Sequence, residues 1–212
     1  MNVRTSLLDQ AISYAARSVL DVTPALLPGP TPCRGWDLGM LLSHASESLA
    51  ALHDGTVTGH VGLIPAAPEC GPAADPARIF QNEASRLLAV RVTIGRRYQV
   101  LDIGDLPLPA VAMECAGAIE IAVHGWDISQ ACGQHRPVPD SLAATLLAIA
   151  PLLIPETGRH PLFSPPVTPP AQASAGDRLV AFLGRKPLAS SLPLTDPATG
   201  SSGPGSTGQA RC

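Results

Sequence analysis

Aromatic residues are scarce in this chain: three Phe, two Tyr and two Trp among 212 residues. The core must therefore be filled by Ala, Leu, Val and Ile, which suits closely packed helices. Charge is also thin. Asp, Glu, Lys and Arg make up 15% of the residues, and the net charge of −3 with a pI near 6.0 offers no field for phosphate. No basic strip interleaved with aromatic residues is present, so nucleic acid is excluded as an expected partner. No run reaches eighteen uninterrupted apolar residues. The nearest, Ser141–Ile154, is too short to cross a bilayer and meets Pro155. The first ten residues lack an apolar core and a cleavage site, and so do not read as a signal peptide. The five cysteines, Cys33, Cys70, Cys115, Cys132 and Cys212, are odd in number, scattered and free of any C-x-x-C pair. Neither a disulfide framework nor a thiolate zinc site is indicated. A soluble cytoplasmic protein with reduced thiols, monomeric or a homodimer, is expected.

What is present is a globular body. Hydrophobic residues reach 45%, and the length suffices for one domain with a full core. Apolar positions at Leu7, Leu8, Ile12, Ala15, Ala16, Val19 and Leu20 predict a first helix over 4–22. Pro24, Pro28, Gly29, Pro30 and Pro32 break the chain after it. Asp37 reads as the N-cap of a second helix through Leu38, Leu41, Leu42, Ala45, Leu49 and Leu52, stopped by Gly55. Residues 55–76 read as a loop. Asp75 and Pro76 then open a third helix running to about Ile94. Tyr98–Asp105 is β-like or a turn. A fourth helix runs from near Pro109 to Gly133, followed by shorter ones over Ser141–Leu153 and Asp177–Leu183. The proline-rich stretch from Phe163 to Pro170 reads as an extended strap. The fold class is all-α, with a body over 1–187. The Ser/Gly/Pro-rich residues 188–212 are expected to be a disordered tail.

The chemistry concentrates in two of these helices. Glu120 and His124 lie four residues apart in an otherwise apolar run, on one face of the fourth helix. A buried charge costs several kcal/mol unless it is paired or binds a metal, so this pair is either a buried salt bridge or part of a metal site. A third ligand is needed. His44 lies inside the apolar pattern of the second helix, whereas His53 falls near that helix's end and His60, His135 and His160 fall in loops. Two histidines and one carboxylate from facing helices would hold a divalent ion with a coordination position left open. Zinc is the first expectation, with nickel or iron as alternatives. Both tryptophans stand in a Gly-Trp-Asp tripeptide, at 35–37 and 125–127. Trp36, Asp37, Trp126 and Asp127 are read as packing residues or as hydrogen-bonding supports for the ligands, with Asp127 one position off the ligand stripe. Arg34 and Arg91 could meet an anionic substrate, although nothing in the sequence places them. No acid–base residue stands out.

Thr-Pro-Cys-Arg-Gly-Trp-Asp-Leu followed by Leu-Leu-Ser-His resembles the second-helix signature of actinobacterial DinB-like proteins, which are related to the N-terminal domain of mycothiol-dependent maleylpyruvate isomerase. Glu-Ile-Ala-Val-His-Gly-Trp-Asp-Ile-Ser-Gln-Ala-Cys-Gly resembles the family's other signature. Asp177-Arg-Leu-Val-Ala-Phe-Leu-Gly-Arg is similar to its closing helix. The resemblance spans roughly 5–187. It implies a DinB-type antiparallel four-helix bundle with extra short helices, and a divalent metal on His44, Glu120 and His124. It further implies a small-molecule substrate and a low-molecular-weight thiol such as mycothiol, used for S-transfer to an electrophile or for cis–trans isomerisation. Two alternatives stay open: a tailoring enzyme using the metal without a thiol, and a non-catalytic metal-binding stress or partner protein.

Overall fold

A computed structural model describes residues 5–62, 75–94, 97–155, 157–159 and 163–187. The chain is mainly helical: α1 (Leu7–Val19), α2 (Leu38–Thr58), α3 (Pro76–Ile94), α4 (Ala110–Ala131), α5 (Asp140–Leu153) and α6 (Ala175–Phe182). A short 3₁₀ turn, Pro24–Leu26, lies between α1 and α2. Among the described residues there is one small sheet, formed by β1 (His60–Val61), β2 (Val100–Ile103) and β3 (Leu106–Pro109). The segment read as β-like is thus the first arm of a hairpin pairing Leu101 with Leu108, and β1 joins it in parallel, His60 opposite Asp102.

The helix starts follow from local chemistry. Ser6 caps α1, its hydroxyl accepting from the Asp9 amide at 3.1 Å, and Asp37 caps α2 through the Met40 amide at 2.8 Å. Asp75 accepts from the Ala77 amide at 3.0 Å, with Pro76 as the first helical residue of α3. The stop expected at Gly55 is corrected. Gly55 is buried inside α2, in contact distance of Met113 and Val61, and the helix runs on to Thr58 before Gly59 turns it with a φ of 77°. A glycine chosen for close packing carries the same letter as one chosen for a turn, and here the packing glycine came first. The loop reading of 55–76 is accordingly shortened at its start, and residues 63–74 lie outside the described residues, as do His160, Cys70 and the tail 188–212.

The fourth helix is the centre of the molecule. From Gly117 to Ser129 every residue except Glu120 is buried, the mark of a helix enclosed on all sides. It packs on α1, α2 and α5, while α3 covers α1 and α2 and α6 lies on α5. Contact with α1 is close because Gly125 has no side chain. A Cβ there would stand 2.8 Å from Ala15 Cα, nearer than van der Waals contact allows. Leu8, Ile12, Leu41, Leu42, Leu49, Phe80, Leu87, Ile119 and Ile121 fill the core between these helices, each fully buried one contributing about 1.5–3 kcal/mol of transfer free energy. Arg91 of α3 is held within this packing. It donates to Asp9 at 2.5 Å, to Glu114 at 3.2 Å and to Ser6 at 2.8 Å, with a side chain only 12% exposed. Among the described residues no helix is long and apolar enough to cross a membrane.

Candidate metal centre

Helices α2 and α4 bring three side chains to one point. Nε2 of His44 lies 2.8 Å from Oε1 of Glu120, and Nε2 of His124 lies 3.0 Å from the same oxygen. The three donor atoms all lie within 4.8 Å of one another. Donors around a tetrahedral zinc, with bonds near 2.0–2.1 Å, stand about 3.3 Å apart, so small side-chain adjustments suffice to admit an ion. The donor set, two imidazole nitrogens and a carboxylate oxygen, suits a divalent transition metal. His124 is deeply buried, while the side chains of His44 and Glu120 are 38% and 26% exposed. The group therefore opens to solvent on the His44 side.

The other face of His124 is fixed by the protein. Its Nδ1 lies 3.1 Å from Oδ2 of Asp127, three residues on in α4. A proton on Nδ1 directed at that carboxylate leaves Nε2, which faces Glu120, as the nitrogen that can bind a cation once its own proton is displaced. Asp127 is fully buried and carries a second partner, Arg185. Nη2 of Arg185 donates to Oδ2 at 2.8 Å and Nε donates to Oδ1 at 3.3 Å. Burial opposes ionisation of Asp127, but His124 and Arg185 outweigh it and hold the carboxyl below its ordinary range.

Glu120 behaves in the same way. Burial disfavours its charge, yet hydrogen bonds from His124 and His44 drive its pKa well below the usual carboxylate range. For His124, burial is again opposed, here by Asp127, Cys33 and Glu120, and its pKa rises well above 6.5. Without a metal the imidazole thus holds the proton that a cation would replace.

Residues 30–37 form the wall beside these ligands. Pro30 and Asp37 pair as an isolated bridge, and the Leu38 amide donates to Gly29 carbonyl oxygen at 3.0 Å. Inside that loop the Thr31 hydroxyl accepts from the Cys33 amide at 3.1 Å and donates toward Trp36 carbonyl oxygen at 3.0 Å. Trp36 is thereby set against both histidines, its ring centroid 4.8 Å from that of His44 and 6.4 Å from that of His124. Cys33 is placed behind His124, its thiol 3.1 Å from Asp127 Oδ2 and 3.9 Å from His124 Nδ1.

Cys33, His124 and Asp127 form a second close group of ligand-type atoms. A cation of the protein already sits there, for Arg185 Nη2 is 3.3 Å from the Cys33 sulfur as well as 2.8 Å from Asp127. Repulsion from a fixed guanidinium disfavours a metal at that corner. His44, Glu120 and His124 are the group that fits one.

Of the supports read from the sequence, Trp36 lines the site and Asp127 holds His124. Asp37 acts one step back as the cap of α2, and Trp126 is a buried core residue. Arg91 is committed to Asp9 and Glu114, away from the ligands, and Arg34 is exposed beside Cys33. His53 faces Asp54, and His60 belongs to β1 rather than to a loop. Cys33 and Cys132 are free thiols. Cys33 and Arg185 were not legible as site residues. Cys33 stands two residues before the first Gly-Trp-Asp and Arg185 closes the third signature, so each could have been suspected from its place there, although the 58 residues between Asp127 and Arg185 give no spacing signal.

No family model matches the chain, and no solved structure matches it. Two uncharacterised proteins of Mycobacterium tuberculosis, one from each of two strains, are 32% identical to it over 150 aligned positions. The match covers 58% of this chain and 56% of each relative, so it reaches little more than half the length of the curated relatives.

Proposed function

We propose that the chain is a DinB-like four-helix bundle, α1 to α4 with α5 and α6 added, that holds one divalent metal ion on His44, Glu120 and His124 and acts as an enzyme. The reading extends to a low-molecular-weight thiol of the mycothiol type as cosubstrate, and to S-transfer or cis–trans isomerisation of a small electrophile as the reaction. One observation carries it: two imidazole nitrogens and a carboxylate oxygen converge from two helices, and the group opens to solvent on one side. A metal whose ligands only stabilised a fold would be closed off by a fourth protein ligand. Among the described residues the protein supplies three.

A divalent ion at this place supplies positive charge that favours the anionic, nucleophilic form of a bound thiol. The chain's own residues do the rest. Glu120 provides negative charge to retain the ion, Asp127 fixes the ring of His124, and Trp36 offers an apolar face beside the open position against which a small substrate can lie. The test is direct. Purified protein is assayed for bound metal, then for consumption of mycothiol or a simpler thiol with an alkyl halide, and for thiol-dependent conversion of a conjugated cis-enone to its trans isomer, which regenerates the thiol. Stoichiometric metal with metal-dependent thiol consumption in the first assay or isomerisation in the second is expected. Metal without any turnover favours the non-catalytic reading, and absence of metal after reconstitution with zinc, nickel and iron overturns both.

A further inference from the structure

The closing helix ends in a turn that leaves the chain little choice of direction. At its start Ser174 and Asp177 form a reciprocal cap, the Ser174 hydroxyl accepting from the Asp177 amide at 3.0 Å and Asp177 Oδ2 accepting from the Ser174 amide at 3.2 Å. At its end the Gly184 amide donates to Ala181 carbonyl oxygen at 3.0 Å and the Arg185 amide to Val180 carbonyl oxygen at 2.9 Å. That is the paired bonding of a left-handed C-terminal cap. Gly184 has a φ of 83°, and a Cβ on it would stand 2.7 Å from Ser164 Cβ and 2.8 Å from Ser164 carbonyl oxygen. Both its conformation and its neighbour require glycine. The Val167 amide, donating to Ala181 carbonyl oxygen at 2.9 Å, ties the proline-rich strap to the same helix.

This turn sends Arg185 inward. Its side chain is 11% exposed. The guanidinium meets both oxygens of Asp127, Leu183 carbonyl oxygen at 2.9 Å and the sulfur of Cys33 at 3.3 Å. An ion pair this deep is poorly explained as a stabilising device, because apolar residues of equal volume often serve a fold as well or better. It does account for a fully buried carboxylate that must stay charged and fixed in order to accept from Nδ1 of His124.

We propose that Arg185 is a positioning residue of the metal centre, holding Asp127, and through it His124, in the orientation that binds the ion, so that α6 and its glycine turn are part of the site. The inference rests on the metal reading above. Groups that orient a metal-binding histidine commonly matter 10–100-fold in affinity, about the size expected here.

The test uses Co(II), whose visible absorption reports coordination geometry, titrated into full-length metal-free protein, with urea unfolding of the same samples. Arg185→Met should weaken Co(II) binding about 10–100-fold and change the absorption bands. Arg185→Lys should recover part of the loss, since an ammonium restores the charge without the two-oxygen fork. Arg178→Met, on the same helix, should bind within about twofold of the parent. A folded Arg185→Met protein that binds within twofold of the parent and has the parent's spectrum overturns the inference and leaves the metal reading standing. If Arg185→Met does not fold, Arg185→Lys decides: weakened binding supports the role, and unchanged affinity and spectrum overturn it. A parent protein that binds no Co(II) removes both readings.

Discussion

Nδ1 of His124 and Oδ2 of Asp127 face each other across 3.1 Å on successive turns of one helix, and this contact sets which nitrogen of His124 is free. An amide at 127 lacks the charge that opposes Arg185 and can present either an acceptor or a donor to the ring. Asp127→Asn should therefore weaken metal binding about 10–100-fold. It should also lower stability by about 3 kcal/mol by leaving the buried guanidinium uncompensated. Metal titration and urea unfolding of the two proteins measure the two effects separately.

His124→Ala removes one of three protein ligands while placing the best helix former in α4. Metal and activity should be lost with a helical circular dichroism spectrum retained. His53→Ala, whose ring faces Asp54 rather than Glu120, should keep both. Binding by His124→Ala as tight as the parent's would reduce Glu120 and His124 to a buried ion pair.

The pH dependence has a definite sign. The pKa of His124 is raised in the metal-free fold despite the opposing effect of burial, through Asp127, Cys33 and Glu120. Its contribution to stability is thus full below the unfolded value of about 6.5 and is lost as pH rises through the folded value. Glu120 and Asp127 are depressed, burial again opposing; their contributions are full above about pH 4–4.5 and are lost as pH falls through their folded values. A metal must displace the proton of His124, so loading should release about one proton near pH 7 and tighten as pH rises. Calorimetry in buffers of different ionisation enthalpy gives the proton count. The gap in melting temperature between loaded and metal-free protein should widen from pH 6 to pH 8. A gap that narrows would mean the proton on His124 does not compete with the ion.

Arg91→Met separates structure from substrate binding. Its guanidinium bridges Asp9 and Glu114 inside the helix packing, so its loss should cost about 3 kcal/mol of stability and leave metal affinity unchanged. Weakened substrate saturation with undiminished stability would instead make Arg91 an anion contact.

Gly125→Ala would set a methyl group against the Ala15 backbone. Overpacking of this kind costs about 1–3 kcal/mol, to be read from chemical unfolding. The helix must shift to relieve it, and His124 is the adjacent residue, so metal affinity should fall in the same variant.

The sequence was most informative where one residue does one local job. Asp37 before an apolar stripe and Asp75 before Pro76 marked two helix starts to the residue, because capping is settled within four positions. The spacing of Glu120 and His124 placed them on one face of α4, and the pattern around His44 put it inside α2. Convergence of the three was a matter of how two helices pack, which no single helix records. Gly55 was misread because closeness to Met113 is a tertiary fact. Parallel pairing of β1 with β2 joins segments some forty residues apart, and two residues carry too little pattern to reveal it. Arg185 is the extreme case, its placement depending on a turn, a strap and a charge carried by another helix.

Enclosure of α4 on every side has a consequence for the order in which the molecule opens. Amide protons from Gly117 to Ser129 can exchange with solvent only through the largest openings, whereas the ends of α6, a helix of eight residues, need only a local one. Glu120 and His124 should thus exchange with the slowest unit and Arg185 with a faster one. Undocking of α6 releases the guanidinium from Asp127 while both α4 ligands keep their helix. Such partial opening gives the centre a state in which its ligands persist without their outer support, reached at a free energy below that of global unfolding.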